Sequence, residues 1–128
     1  MPKSIIIRSN GGPQVLELQD VSIGAPGADE IKVTNHAIGL NYIDTYHRSG
    51  LYPLKLPSGV GLEAAGKVEE IGSPVKEFNI GDNIAYASVP LGAYSQQRII
   101  PSKIAVKVPE GINHKQAATL MTKGLTTN

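Results

Sequence analysis

Glycine and proline punctuation is what most constrains the fold open to this chain. Fourteen glycines and nine prolines are spread through 128 residues, and each tends to interrupt regular structure, glycine through backbone freedom and proline through its missing N–H. Between them lie short runs of period-two alternation: Leu16 and Leu18 against Glu17 and Gln19, Ile31 and Val33 against Lys32 and Thr34, and Ile104, Val106 and Val108 against Lys107. A period of two sends alternate side chains to opposite faces of a strand. Gly11, Gly12 and Pro13 supply a turn before the second strand. The expected fold is mainly β, a barrel or sandwich of short strands with minor helices.

Two helices are expected. One follows Asn41, where Ile43, Tyr46 and His47 fall at i, i+3 and i+4 to present an inward face, and Gly50 is placed to end it. The other opens near Asn113, an N-cap with Gln116 three residues on as in a capping box, followed by Ala117, Ala118, Leu120 and Met121. No closing signal follows Gly124, so residues from about 113 to 128 read as a connecting element that is cut short.

The length fits one domain over 1–128 with a core that needs no metal or disulfide. Cysteine is absent, which removes disulfides, thiolate ligands and thiol nucleophiles together. Twelve basic and eleven acidic residues are interspersed, so no basic stripe suits a phosphate backbone. The first ten residues place only three apolar side chains between Lys3 and Arg8, too few for a signal peptide, and no stretch approaches a membrane span. The expected location is the cytoplasm, with no nucleic-acid or membrane partner.

Two segments carry the chemistry: Gly39 to Asp44 (GLNYID) and Gly61 to Gly66 (GLEAAG). Asn41 and Leu62 stand twenty-one positions apart, with a carboxylate close behind each, Asp44 and Glu63. These segments occur in order with AIGLNYIDTYHRSGLYP (Ala37 to Pro53), LPSGVGLEAAGKV (Leu56 to Val68), GDNIAY (Gly81 to Tyr86), LGAYS (Leu91 to Ser95) and AATLMTKGLT (Ala117 to Thr126). Together they resemble the zinc-independent quinone oxidoreductases, the zeta-crystallin-like branch of the medium-chain dehydrogenase/reductase family. The resemblance runs from Gly11 to Thr126. It implies a GroES-like β-barrel, the substrate-side half of a two-domain reductase whose Rossmann domain, binding NADPH, lies beyond residue 128. It further implies hydride transfer to a quinone or related conjugated carbonyl, and a homodimer for the full-length protein.

In zinc-dependent relatives a cysteine and a histidine occupy the positions of Asn41 and Leu62, and a hydroxyl for proton relay that of Ile43. A catalytic zinc needs three Cys, His or carboxylate ligands, and leucine has no donor atom. The resemblance therefore implies a site without zinc. By the same resemblance Asn41, Tyr42, Ile43, Asp44, Thr45 and Tyr46 form a cofactor-facing segment, joined by Lys123 and Thr126 of the KGLT run.

Each of these residues also has a plainer reading. Asn41 can donate and accept at once, which suits a ribose hydroxyl, a nicotinamide group or a quinone oxygen, and it can equally brace a turn. Asp44 and Glu63 can act as an acid/base pair, or can accept hydrogen bonds and fix the cleft wall. Tyr46 and Tyr52 offer a flat apolar face with an O–H donor, so Asn41, Tyr46 and Tyr52 form the expected catalytic set, against core packing as the alternative. His36, His47 and His114 read as solvated or packed. Two other functions stay open: enone or alkene reduction on the same scaffold, and a stand-alone GroES-like binding module without catalysis.

Overall fold

A computed structural model of the chain describes residues 2–88, 90–109 and 112–113. Among the described residues eight strands and one α-helix follow in order: β1 (Lys3–Ile7), β2 (Glu17–Asp20), β3 (Glu30–Ile38), α1 (Tyr42–Ser49), β4 (Ser58–Gly59), β5 (Glu63–Ile71), β6 (Asn83–Ala87), β7 (Gln97–Pro101) and β8 (Val106–Lys107). Single 3-10 turns occupy Pro13–Val15 and Ser102–Ile104.

The strands form two antiparallel sheets, one in the order β2-β1-β4 and one in the order β7-β3-β5-β6-β8. They meet along β1, where Ser4 bridges to Ser95. There the Ile5 N–H donates to the Tyr94 carbonyl and the Gln96 N–H to that of Lys3, each at 2.8 Å. The result is a partly closed barrel.

The two long central strands, β3 and β5, carry the core. Ile31 and Val33 from β3, Ala64 and Val68 from β5, and Ile84 and Tyr86 from β6 pack with Val75, Phe78, Ala93 and Ile100. Each larger aliphatic side chain buried there stabilises the fold by about 1.5–3 kcal/mol. Ala65 and Ala85, one residue out of phase, face the other side and pack with Ala37, Val108 and Ile112, as the strand period requires.

β3 approaches β5 so closely that a Cβ on Gly66 would overlap the Thr34 carbonyl and the Asn35 backbone. The register between the strands shifts there, between Asn35 and Ala37. Such a shift bends a strand and re-aims its side chains. Lys32 is buried on β3 beside Glu70, with Nζ to Oε1 at 2.9 Å, so the alternation of this strand closes on an ion pair rather than on solvent.

Two of the alternating runs form shorter strands than expected, and Leu16 falls just before β2. β2 forms, but Leu18 is 64% exposed, because this strand pairs only with β1 at the rim of the smaller sheet. The run from Ile104 to Val108 is not one strand. Ile104 ends a 3-10 turn in which the Ala105 N–H bonds the Ser102 carbonyl at 3.2 Å, and only Val106 and Lys107 pair with β6. The helix expected from Asn113, with Gln116 and the following residues, lies outside the described residues, as do His114, Lys123 and Thr126. Among the described residues no helix is long and apolar enough to cross a membrane.

Candidate functional site

The site is built on α1. Asn41 is its N-cap in extended conformation, and Gly50 closes it in the left-handed region at φ 92°, where the missing Cβ avoids strain. Asp44 Oδ2 accepts the Asn41 N–H at 3.1 Å, while the Asn41 carbonyl accepts the Asp44 N–H at 3.0 Å. This reciprocal bonding satisfies donors that a helix start leaves open.

The helix shows different chemistry on its two sides. Asn41, Asp44, Thr45 and Arg48 follow at i, i+3, i+4 and i+7, a spacing that shares one face, and all four line an open cavity of about 700 Å³. Tyr42 and Leu40 at its mouth, Leu16, Val60 and Tyr94 complete the wall. Ile43, Tyr46 and His47 occupy the other face. The inward face was expected there, yet the buried side chain of the helix is Asp44. The reason is a downstream partner: the Tyr94 hydroxyl donates to Asp44 Oδ2 at 2.6 Å, so the carboxylate is drawn inward by a donor that also screens it from water.

Burial, followed by the hydrogen bond to Asp44 and the charge of that carboxylate, pushes the Tyr94 phenol far above its ordinary value, against a smaller opposing pull from Arg48. Tyr94 is therefore a neutral donor throughout the physiological range. Arg48 anchors the cavity at its other side. Its Nε donates to the Gly11 carbonyl at 3.2 Å and its carbonyl accepts the Gly11 N–H at 3.0 Å, which ties the 3-10 turn before Leu16 to the helix end.

Two polar atoms of this site are buried and without a partner, Asn41 Nδ2 and Asp44 Oδ1. One is a donor and the other an acceptor. Buried polar groups are usually paired; His47 Nδ1 and Arg98 Nη1 also lack a partner, but only Asn41 and Asp44 line the cavity, and that pair fits a ligand that accepts at one point and donates at another, as a carboxamide, a ribose or a hydroxylated ring does.

The other residues singled out in the sequence lie elsewhere. Tyr46 and Tyr52 meet edge to face, with ring centroids 5.4 Å apart. His47 stands 6.1 Å from the Tyr52 ring. All three are off the cavity wall. Glu63 is buried at the start of β5, with its carboxylate against Gly39, and the Gly39 N–H bonds the Glu63 carbonyl at 2.9 Å. Leu62 is half-buried. The Thr45 hydroxyl donates to the Tyr42 carbonyl at 2.6 Å. Among the described residues no three His, Cys, Asp or Glu side chains gather as metal ligands do.

Neither Tyr94 nor Arg48 stands out in the sequence as a site residue. Arg48 was within reach of helical spacing, seven residues after Asn41. Tyr94 was harder, fifty residues from Asp44, and its one signal was that a carboxylate drawn out of water needs a donor.

A family model described as the alcohol dehydrogenase GroES-like domain matches residues 27–110. A quinone oxidoreductase of Pseudomonas aeruginosa is 53% identical over 128 residues, which cover 99% of this chain and 39% of that protein. A 2-haloacrylate reductase of a Burkholderia species is 40% identical over 132 residues, covering 98% of this chain and 40% of that protein. The crystal structure of Escherichia coli quinone oxidoreductase complexed with NADPH superposes with a TM-score of 0.94 at 47% identity, over 97% of this chain and 38% of that one. The chain thus spans about two fifths of the length of the curated relatives it matches.

Proposed function

Because the chain belongs to the alcohol dehydrogenase GroES-like domain family, we propose that it forms the substrate-side part of a zinc-independent, NADPH-dependent quinone reductase. Residues from about 113 onward would lead to the nucleotide-binding domain of a longer protein. One observation carries the reading: the buried, unpartnered amide of Asn41 on the cavity wall. An N–H fixed there can donate to a carbonyl oxygen as negative charge develops on it, the task that a Lewis acid performs in zinc enzymes. Leu62 has no donor atom for a metal, and the sequence has no cysteine.

NADPH, when bound, supplies the hydride. On this chain the cavity-lining Asn41, Tyr42, Asp44 and Thr45 would hold it, while Ile43 and Tyr46, on the other face of α1, and, outside the described residues, Lys123 and Thr126 would meet it beyond that wall. Asp44 Oδ1 accepts from a hydroxyl or amide of the ligand, and Tyr94 keeps the carboxylate in place. Tyr46 and Tyr52, 38% and 47% exposed, offer an aromatic edge and a phenolic donor to a flat ring. Leu16 and Val60 present apolar surface on the cavity wall, and Leu40 does so at its mouth. Glu63 acts as a structural carboxylate of the cleft. The same proposal has the full-length protein work in the cytoplasm as a homodimer on small molecules.

The likeness to a protein named 2-haloacrylate reductase favours a second substrate class, conjugated alkenes, on the same scaffold. NADPH oxidation by the full-length protein, followed with a benzoquinone and with an acyclic enone, tests both. Faster turnover of the quinone is expected; faster turnover of the enone would transfer the assignment, and no turnover of either would leave a binding module.

A further inference from the structure

Outside the cavity, the polar side chains of the larger sheet converge on one stretch of backbone, the segment that carries Tyr94. Asn35 of β3 donates from Nδ2 to the Ala93 carbonyl at 3.2 Å and to the Ser95 carbonyl at 3.0 Å. These are the carbonyls on either side of Tyr94. Both hydrogens of the amide are thereby used on one segment, and its Oδ1 accepts the Tyr86 hydroxyl at 2.9 Å. Tyr86 is fully buried and can donate only while protonated, which burial favours by pushing its phenol upward. A donor at Oδ1 selects one of the two flip orientations of the amide, the one with Nδ2 toward the Tyr94 segment.

The same segment is held at its start by Arg98. This buried guanidinium donates from Nη2 to the Pro90 and Leu91 carbonyls at 3.0 and 3.2 Å and lies 5.5 Å from the centroid of the Tyr86 ring. On the other side the Gly92 and Ala93 N–H groups reach the Gly61 carbonyl, and the Tyr94 N–H reaches that of Val60. The backbone of Tyr94 is thus fixed from β1, β3, β7 and the 60–61 turn, while its ring passes over Gly61, where a Cβ would clash with it, to reach Asp44.

We propose that Asn35, oriented by Tyr86, is a positioning residue of the site: it sets the Tyr94 hydroxyl, and through it the Asp44 carboxylate that faces the cavity. The register shift of β3 beside Gly66 aims Asn35 at this segment. A hydrophobic residue would fill the same space without desolvating an amide; what the amide adds is a fixed distance to two carbonyls that bracket one side chain. The catalytic consequence rests on the quinone-reductase reading, whereas the geometric claim does not.

The experiment uses the full-length protein with Tyr86→Phe, Tyr94→Phe and the double variant. Tyr86→Phe keeps the packing ring and removes only the hydroxyl. With NADPH and a benzoquinone, Tyr86→Phe is expected to lower kcat roughly tenfold while shifting the KM for NADPH less than about twofold, since misplacement acts on the reacting geometry. In the Tyr94→Phe background the same change is expected to cost less than about twofold, because residues acting through one contact are not additive. Equal losses in both backgrounds would overturn the proposal. Ring-proton NMR of Tyr94 decides the geometry independently of turnover: its signals shift in Tyr86→Phe and in Asn35→Asp if the proposal holds, and unchanged signals in both would overturn it. If Tyr94→Phe leaves turnover intact while those signals shift, the positioning stands and the catalytic reading of the site fails.

Discussion

The Tyr94 hydroxyl donates a 2.6 Å hydrogen bond to Asp44 Oδ2, the same oxygen that accepts the Asn41 N–H at 3.1 Å. A single carboxylate oxygen thus caps the helix and anchors the cavity wall, so local structure and site geometry fail together when it is lost. Asp44→Ala removes both bonds and leaves the Tyr94 hydroxyl without its acceptor. Hydrogen bonds to a charged group are worth about 1.5–3 kcal/mol, and the expected loss of stability is about 2–3 kcal/mol. Urea unfolding measures it, and an unchanged midpoint would contradict the shared role of that oxygen.

Alkali should weaken the fold through the buried phenols. The folded-state pKa of Tyr94 is raised by burial, the Asp44 hydrogen bond and the Asp44 charge, and that of Tyr86 chiefly by burial. A raised folded value contributes stability that is fully present below the unfolded value, about 10. Above it the unfolded chain loses protons that the folded chain keeps, so stability falls as pH rises. Tyr94→Phe should flatten that alkaline limb in denaturation midpoints collected from pH 9 to 11.

Ion pairs of different burial should separate cleanly. Lys32 is nearly buried beside the half-exposed Glu70, whereas both partners of the Lys3 and Asp20 pair are about half exposed. Glu70→Gln leaves an ammonium group with little access to water and should cost about 1–2 kcal/mol, below the full value for a buried pair because Glu70 itself is solvated. Asp20→Asn should leave the denaturation midpoint within error.

Gly66→Ala should be among the most damaging single-methyl substitutions in the chain. The added carbon would meet the Thr34 carbonyl and the Asn35 backbone of the neighbouring strand, and backbone cannot yield as a side chain can. A loss above about 3 kcal/mol is expected, read by thermal unfolding. The displacement of Asn35 should lower turnover of the full-length protein as well.

Much of this was legible in local sequence signals. The α1 boundaries followed from Asn41 and Gly50, because caps act within one turn of the chain, and the β-rich class followed from alternation and punctuation. Leu18 shows where alternation stops being informative: the period reports that one face differs from the other, but burial depends on what packs against it, and a rim strand has too little there. Asp44 shows the same for the site. Its inward turn depends on Tyr94, fifty residues away, and no local pattern encodes that pairing. Asn35 gave no sequence signal either, since its role arises from a register shift and two carbonyls brought in by the loop before β7.

The amide of Asn41 is the group on which carbonyl polarisation depends. Asn41→Asp keeps the size and the capping oxygen of the residue but replaces the N–H donor with an acceptor. In the full-length protein with NADPH and a benzoquinone, kcat should drop about a hundredfold, in keeping with loss of a single donor at a developing oxyanion, at a temperature where circular dichroism shows the variant folded. A variant that folds normally and turns over at the parent rate would contradict the assignment of Asn41 as the carbonyl-polarising group.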